Sequence, residues 1–240
     1  MYQEKYLKYK NKYLELKNQL AGSENTPINY DIPLDLGEEK IFKKQFRNSK
    51  EFSKKKITSV TIPESVKYIQ EEAFANNNLT SVTITGSLFI IGEKAFANNK
   101  LKSVTTKTVN IIAKDAFENN QLEFVTIQGY VNTIASGAFN NNKLVSITIP
   151  PSVKSIGDYA FSNNNLVSVT IPDNVTKIGT NVFAYNKTLQ SLIIPIGIFQ
   201  GKLDINKIIY IIDSKSILDL KYTVDRVNKI VKVYNIEYKN

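Results

Sequence analysis

Asparagine recurs in this chain at one fixed place in a repeated phrase, three residues after a phenylalanine. A carboxamide carries a hydrogen-bond donor and an acceptor, so it can satisfy the backbone of a buried turn, bind a metal or carry a glycan. Six positions share the spacing: Asn77, Asn99, Asn120, Asn142, Asn164 and Asn186. Because each lies where the chain turns back, the pattern predicts a structural ladder of amides, with a metal or glycan role as the alternative.

Residues that could support enzymatic chemistry are scarce. The 240-residue chain has no histidine and no cysteine, which removes the commonest general base, the commonest transition-metal ligand and all thiol chemistry. It has no P-loop or GxGxxG phosphate cradle, and the acids Asp115, Glu118 and Asp158 stand in no recurring context. The sequence therefore predicts a protein that is not an enzyme, with no cofactor, no catalytic residue and no metal site.

Serine and threonine recur on the polar side of the predicted strands, where they form a candidate partner-binding surface. Hydroxyls can bind glycan or ordered water, but they also suit an exposed strand for its β-propensity and solubility. In the fourth copy Phe124 replaces the serine, as either a binding hot spot or a filler beside a shortened third copy. The candidate surface comprises Ser81, Thr83, Ser103, Thr105, Glu123, Phe124, Thr126, Ser146 and Thr148.

These residues belong to an internal repeat of 21–23 residues that covers residues 57–195. Its pattern is L-x-x-V-x-I, then V-x-x-I-x-x-x-A-F, then x-x-N. Units start at Ile57, Leu79, Leu101, Leu122, Leu144 and Leu166, with a truncated copy at Leu189. The first half predicts a short parallel strand, and the rest has room only for a short extended piece and one helical turn that ends in Ala-Phe. The repeated Ala-Phe pair predicts one interior column of stacked phenylalanine rings.

The phrase SVTIP-x-x-V-x-x-I-G-x-x-AF resembles the BspA-type leucine-rich repeat over residues 57–195. The resemblance implies a leucine-rich repeat solenoid, mainly β, with an N-terminal helix and a small C-terminal cap added in this chain. It also implies a non-catalytic protein-interaction or scaffold module that binds a partner through its strand-lined concave face. The family usually has cysteine or a small residue where this chain has the asparagine after phenylalanine.

The first 21 residues predict an amphipathic helix of nearly three heptads. Its apolar seam has coiled-coil spacing and consists of Tyr2, Tyr6, Tyr9, Tyr13, Leu16 and Leu20. Residues 2–20 either mediate self-association or partner binding, or pack on the chain's own solenoid. The text YLKYKNKYLELKNQ resembles leaders of giant mimivirus-group proteins, which implies a viral protein located in the host cytoplasm or the virion.

The remaining segments are expected to connect and cap the repeats. Residues 22–35 predict a linker, residues 36–56 a degenerate N-terminal capping unit, and residues 196–240 a C-terminal cap. Within the C-terminal segment, KIIYIID (207–213) and KIVKVYNIEY (229–238) predict two strands around a short helical stretch.

The charge distribution bears on the choice of partner. The net charge is +9, but the repeats are almost neutral and the basic residues concentrate at the two ends. A nucleic-acid groove along the solenoid would need basic side chains in every unit. The expected partner is therefore a protein. Binding of nucleic acid or another polyanion through the basic ends is the alternative function. The chain begins without a signal-like segment and contains no membrane-spanning run, which predicts an intracellular location.

Overall fold

The computed structural model describes residues 28–31, 52–199, 205–212, 217–226 and 228–238. The predicted helix of residues 1–21 and its seam lie outside these ranges. Within them the chain forms one α-helix, α1 (Ile205–Ile212), and one 3-10 helix, Ile196–Phe199. The strands are β1 (Ile28–Asp31), β2 (Ile57–Ile62), β3 (Tyr68–Ile69), β4 (Ser81–Ile84), β5 (Leu88–Ile91), β6 (Ser103–Thr106), β7 (Val109–Ile112), β8 (Phe124–Ile127), β9 (Thr133–Ile134), β10 (Ser155–Ile156), β11 (Ser168–Thr170), β12 (Lys177–Ile178), β13 (Ser191–Pro195), β14 (Ile217–Asp225) and β15 (Ile230–Tyr238).

The short extended pieces predicted in the second half of each unit form one parallel sheet, which we call the back sheet. Its strand order is β12-β10-β9-β7-β5-β3. Equivalent residues of neighbouring units pair, as Ile69 does with Ile91 and Ile112 with Ile134. Leu88 pairs with Val109 across the 21-residue unit, so the missing residue is absorbed without a change of register. The solenoid of parallel strands predicted from the repeat is therefore confirmed.

The L-x-x-V-x-I segments form the front sheet on the other side of the core. Its strands lie in three hydrogen-bonded groups, β1-β2-β4, β6-β8 and β11-β13, and the last group continues into β15 and β14. In β4 and β6 exposed and buried residues alternate, because successive side chains of a strand point to opposite faces. Among the described units, residues 144–149 of the fifth contribute no strand to this sheet.

The helical turn expected before each Ala-Phe pair is replaced by consecutive hydrogen-bonded turns. In the first unit Ala73 N–H donates to Gln70 and Ala75 N–H donates to Glu72, while Glu72 and Asn76 have positive φ angles of 53° and 57°. A left-handed residue cannot continue a right-handed helix, so the segment bends instead. The bend turns alternate N–H groups toward the next unit, where Phe74 N–H donates to Ala95 at 2.8 Å.

The predicted column of phenylalanines is confirmed. Neighbouring rings lie 5.2–5.9 Å apart with interplanar angles of 1–10°. Every ring is at most 2% exposed, so each contributes roughly 1.5–3 kcal/mol through burial. The column consists of Phe74, Phe96, Phe117, Phe139, Phe161 and Phe183, and Phe52 extends it with a centroid distance of 5.5 Å to Phe74.

The asparagines after phenylalanine form the predicted amide ladder. In the second unit Asn99 Nδ2 donates to the carbonyl oxygens of Phe74 and Phe96 at 2.9 and 3.0 Å, and its Oδ1 accepts from Leu79 N–H at 3.0 Å. All six amides are buried, and the arrangement recurs from Asn77 to Asn186. These side chains thus satisfy backbone groups that the turn would otherwise leave unpaired inside the protein.

The N-terminal end differs from the prediction in one respect. Residues 28–31, which fall within the predicted linker 22–35, form β1 and pair in parallel with β2. The sequence carries the reason, because NYDIP at 29–33 repeats the hydrophobic and proline positions of SVTIP at 59–63. Of the predicted capping unit 36–56, the structure describes residues 52–56, where Phe52 continues the phenylalanine column.

The C-terminal end also corrects a prediction. KIIYIID, predicted as a strand, lies largely in α1, and the predicted helical stretch after it contains β14. Asn181 N–H donates to the Tyr210 carbonyl, and Phe183 N–H donates to the Ile211 carbonyl at 3.1 Å. The last turn of a helix has unpaired carbonyls, so α1 supplies the acceptors that a further unit would have offered. Strand β15 pairs antiparallel with β13 and buries Val231 and Val233 in the common core.

Candidate functional site

The outer face of the front sheet carries the residues predicted as a partner-binding surface. It is defined by the second, third and fifth residues of each L-x-x-V-x-I segment, which point away from the core. All nine predicted positions are exposed: Ser81, Thr83, Ser103, Thr105, Glu123, Phe124, Thr126, Ser146 and Thr148. The structure thus brings them to one face of the solenoid, and whether they bind a partner stays a prediction.

The hydroxyl groups give this face a polar but nearly uncharged character. Ser81 pairs in register with Ser59, Thr83 with Thr61, and Thr105 with Thr126, so serines and threonines line up from unit to unit. A hydroxyl can donate one hydrogen bond and accept two, so the rows can bind polar groups of either kind without a charged partner.

Phe124 places a large aromatic side chain on this otherwise polar face of the front sheet. It is 58% exposed, and it pairs in register with Ser103 of the preceding unit. Its neighbours Val125 and Ile127 are only half-buried, whereas Val104 at the position equivalent to Val125 is 2% exposed. A ring that is more than half exposed does little to fill space in the core, and its role as a binding hot spot stays a prediction.

Two further exposed apolar side chains occur on the next two units and were missed from the sequence. Val145 is 47% exposed and Val167 is 39% exposed, and Val167 N–H donates to the Val145 carbonyl at 3.2 Å. They occupy the second position of their units, where other units have Thr80, Lys102 and Gln190. We call Phe124, Val145 and Val167, on three successive units, the front apolar patch.

A second exposed aromatic cluster lies on the back sheet. The rings of Tyr68 and Phe89 stack with centroids 5.4 Å apart, and Phe89 is 51% exposed. The half-buried side chains of Ile90 and Ile111 continue this surface along the sheet. Sequence reasoning missed it because these positions vary between units and were treated as ordinary strand residues.

The ionisable groups of the solenoid form no concentrated centre. Burial raises the pKa of Asp115 above its usual range, and the nearby Lys114 and Lys94 ammonium groups partly oppose that shift. Within the described ranges no cluster of three or more His, Cys, Asp or Glu side chains is placed to hold a metal ion. None of the described helices has the length and apolar content needed to cross a bilayer.

The geometry defines the class of protein as a β-solenoid of leucine-rich repeats. The family model described as the BspA type leucine rich repeat region matches residues 45–117 and 110–206 in six copies. The chain therefore belongs to the BspA-type leucine-rich repeat family, as the SVTIP-x-x-V-x-x-I-G-x-x-AF phrase predicted.

One solved structure with a similar repeat is a leucine rich cell surface protein from Faecalibacterium prausnitzii. It is 24% identical, the match covers 72% of this chain and 44% of that protein, and the TM-score is 0.43. The chain thus spans less than half the length of that protein. No curated protein matches the chain.

Proposed function

We propose that this chain is a non-catalytic protein-interaction or scaffold module whose front sheet binds a protein partner around Phe124. The family supports the general function, because leucine-rich repeats generally serve as binding modules. The front apolar patch supports the location: it places an exposed ring and two valines within a hydroxyl-rich face.

The physical argument rests on what such a patch gains when it is covered. Interfaces draw most of their energy from a few aromatic or aliphatic anchors surrounded by polar contacts that exclude water. Phe124 has the exposed area to act as an anchor, and the serine and threonine rows of Ser103, Thr105 and Ser146 supply uncharged polar groups around it. Because the face carries little charge, we expect affinity that depends only weakly on salt.

The predicted seam helix is a second attachment point in this proposal. Four tyrosines and two leucines on one stripe favour burial against another surface, either a partner or a second copy of the chain. Sedimentation of the full chain beside a chain that starts at Ser23 tests the self-association branch. Equal monomeric mass for both would exclude self-association through residues 2–20.

The experiment for the front sheet compares two exposed phenylalanines. The full chain is immobilised, proteins captured from a cell extract are quantified, and the measurement is repeated with Phe124→Glu and with Phe89→Glu. Both changes introduce a carboxylate in place of a ring that is more than half exposed, so both variants should fold. A partner that is lost with Phe124→Glu and retained with Phe89→Glu supports the proposal. Equal loss with both variants, or retention with Phe124→Glu, contradicts it.

Polyanion binding through the basic ends stays the alternative. The affinity of the chain for generic duplex DNA, measured at increasing salt concentration, separates the two functions, because phosphate contacts weaken steeply as salt rises. Tight binding at low salt that disappears by moderate salt would favour the alternative over a protein partner. The intracellular location and the viral origin also stay predictions.

A further inference from the structure

Strand β14 lies at the outer edge of the C-terminal sheet, in the order β11-β13-β15-β14 among the described strands. Such an edge offers a row of backbone N–H and C=O groups to another strand. Proteins usually protect edges with proline, bulges or short strands. Strand β14 has nine residues without proline, and its register shifts are confined to the stretch before Lys221.

The two faces of β14 differ in character. Tyr222 pairs in register with Val233 and Val224 with Val231, so these four side chains share one face of the hairpin. Val231 and Val233 are fully buried against the solenoid, whereas Tyr222 and Val224 are 40% and 41% exposed. The apolar face of the hairpin therefore continues from β15 onto β14, where Tyr222 and Val224 remain partly exposed.

The regular part of β14, Lys221 to Asp225, is complementary to itself. In an antiparallel pair of two copies centred on Thr223, Tyr222 lies opposite Val224 of the second copy, on the apolar face. Lys221 then lies opposite Asp225 of the second copy, on the other face, and the two-fold axis repeats both pairs. Opposite charges in directly opposed positions stabilise an antiparallel pair, while like charges destabilise it.

We propose that two copies of this chain associate through β14, in an antiparallel pair centred on Thr223 that joins the two C-terminal sheets. The occupant is a second copy because the apolar pair and the charges of Lys221 and Asp225 match when the strand meets itself. The Asp225 carboxylate also accepts hydrogen bonds from Asn228 of its own chain. The resulting dimer directs the two solenoids away from a common C-terminal sheet. This interface is separate from the front apolar patch and from the predicted seam helix.

Cysteine cross-linking tests the register directly, because the natural chain contains no cysteine. Opposed residues of an antiparallel pair have Cα atoms about 4.5–5.5 Å apart, which suits a disulfide. Thr223→Cys in the full chain should therefore give a disulfide-linked dimer on mild oxidation. Lys232→Cys is the matched control on the same face of β15: its two copies would lie three strands, or about 14 Å, apart. It should give at most a tenth as much linked dimer.

A charge variant tests whether the association needs this strand. The wild-type chain should sediment at twice its 27.1 kDa mass, and Thr223→Lys should sediment as a monomer, because it places two ammonium groups at the two-fold axis. Thr176→Lys makes the same change at an exposed residue next to β12, outside the front sheet, and should remain dimeric. A single cooperative melt of Thr223→Lys would show that its monomer is folded.

Three outcomes would overturn the proposal. One is a wild-type chain that sediments as a monomer at high concentration. The second is a dimer that survives Thr223→Lys, and the third is equal cross-linking by Thr223→Cys and Lys232→Cys. A dimer that is lost only when residues 1–22 are removed would assign association to the seam helix instead, so failure here leaves the front-sheet proposal untouched.

Discussion

The side-chain amide of Asn142 donates a hydrogen bond to the Phe117 carbonyl of the preceding unit at 3.0 Å. The same nitrogen donates to the Phe139 carbonyl of its own unit at 3.1 Å, and the amide oxygen accepts from Leu122 N–H at 3.0 Å. One buried side chain therefore joins two consecutive units at the point where the chain reverses.

Replacing this amide should strongly destabilise the protein. Asn142→Ala leaves a buried N–H without an acceptor and removes a donor from three carbonyls, those of Phe117, Phe139 and Asn140. The cost should be on the order of 3 kcal/mol in the free energy of unfolding. Denaturant unfolding measures the loss. Asn141→Gly is the control: Asn141 is exposed, its φ of 55° suits glycine, and the change should cost well under half as much. Equal costs would contradict the structural role of the buried ladder.

The phenylalanine column predicts a sharp contrast between two rings. Phe117→Ala should cost about 3–5 kcal/mol, because it opens a cavity between two stacked neighbours in the core. Phe124→Ala removes a ring that is 58% exposed and should change stability by about 0.5 kcal/mol or less. Thermal or denaturant melts of both variants give the comparison. A small effect at Phe117 would be incompatible with a continuous packed column.

Thr106 offers a stabilising substitution. Its hydroxyl is buried without a hydrogen-bond partner among the described residues, and it pairs in register with Ile127. Thr106→Val has almost the same shape and removes the unpaired polar group, so we expect a gain of about 1 kcal/mol. The exposed neighbour Thr105→Val provides the control and should change stability little. A loss of stability in Thr106→Val would indicate that the hydroxyl has a bound partner such as water.

The C-terminal elements should be required for a well-behaved solenoid. Deleting residues 203–240 removes α1 and the β14–β15 hairpin, and it uncovers Leu192 and Ile194, which pair with β15. The truncated chain should aggregate or melt at lower temperature, since its last unit exposes apolar side chains and unpaired N–H groups. Light scattering during a thermal melt detects both effects. A monomeric truncation with an unchanged melt would mark this segment as an independent domain.

Stability should also depend on pH through Asp115. Burial raises the pKa of this carboxyl, so the folded state binds its proton more tightly than the unfolded state. The carboxylate thus destabilises the fold fully when pH exceeds its folded-state pKa, and this cost is lost as pH falls from there to the unfolded-state pKa of about 3.9. Asp115→Asn should melt above the wild type at pH 7, with a difference that shrinks toward pH 3. A difference that grows on acidification would reverse the sign of this argument.

The repeats were predictable because their phenylalanine, asparagine and strand positions recur at a fixed spacing, so each unit confirms the others. Strand β1 precedes the region where the repeat spacing is regular, and the likeness of NYDIP to SVTIP becomes informative only once β1 is seen to pair with β2. The apolar residues of the KIIYII run fit the spacing of a strand and of a helix equally well. The helix is favoured by tertiary hydrogen bonds, since its last carbonyls accept from the N–H groups of Asn181 and Phe183.

The sequence predicts which residues of the candidate surface are exposed, but it predicts less well which of them form an apolar patch. Alternation along the strands places Ser81 and Thr83 outside, whatever their role. The front apolar patch depends on Val145 and Val167, which occupy the second position of their segments, a position that is also exposed at Thr80, Lys102 and Gln190. Valine at this otherwise polar position is not part of the repeat pattern.

In each Ala-Phe turn, alternate N–H groups donate to the next unit on the C-terminal side, and those of the last unit, Asn181 and Phe183, donate to α1. Every interior unit therefore presents the same acceptors to the unit before it and the same donors to the unit after it. A 22-residue unit can be duplicated or lost within the array while both end structures keep their bonds. During evolution the length of the solenoid can therefore change by whole units, through duplication or loss of the corresponding coding sequence.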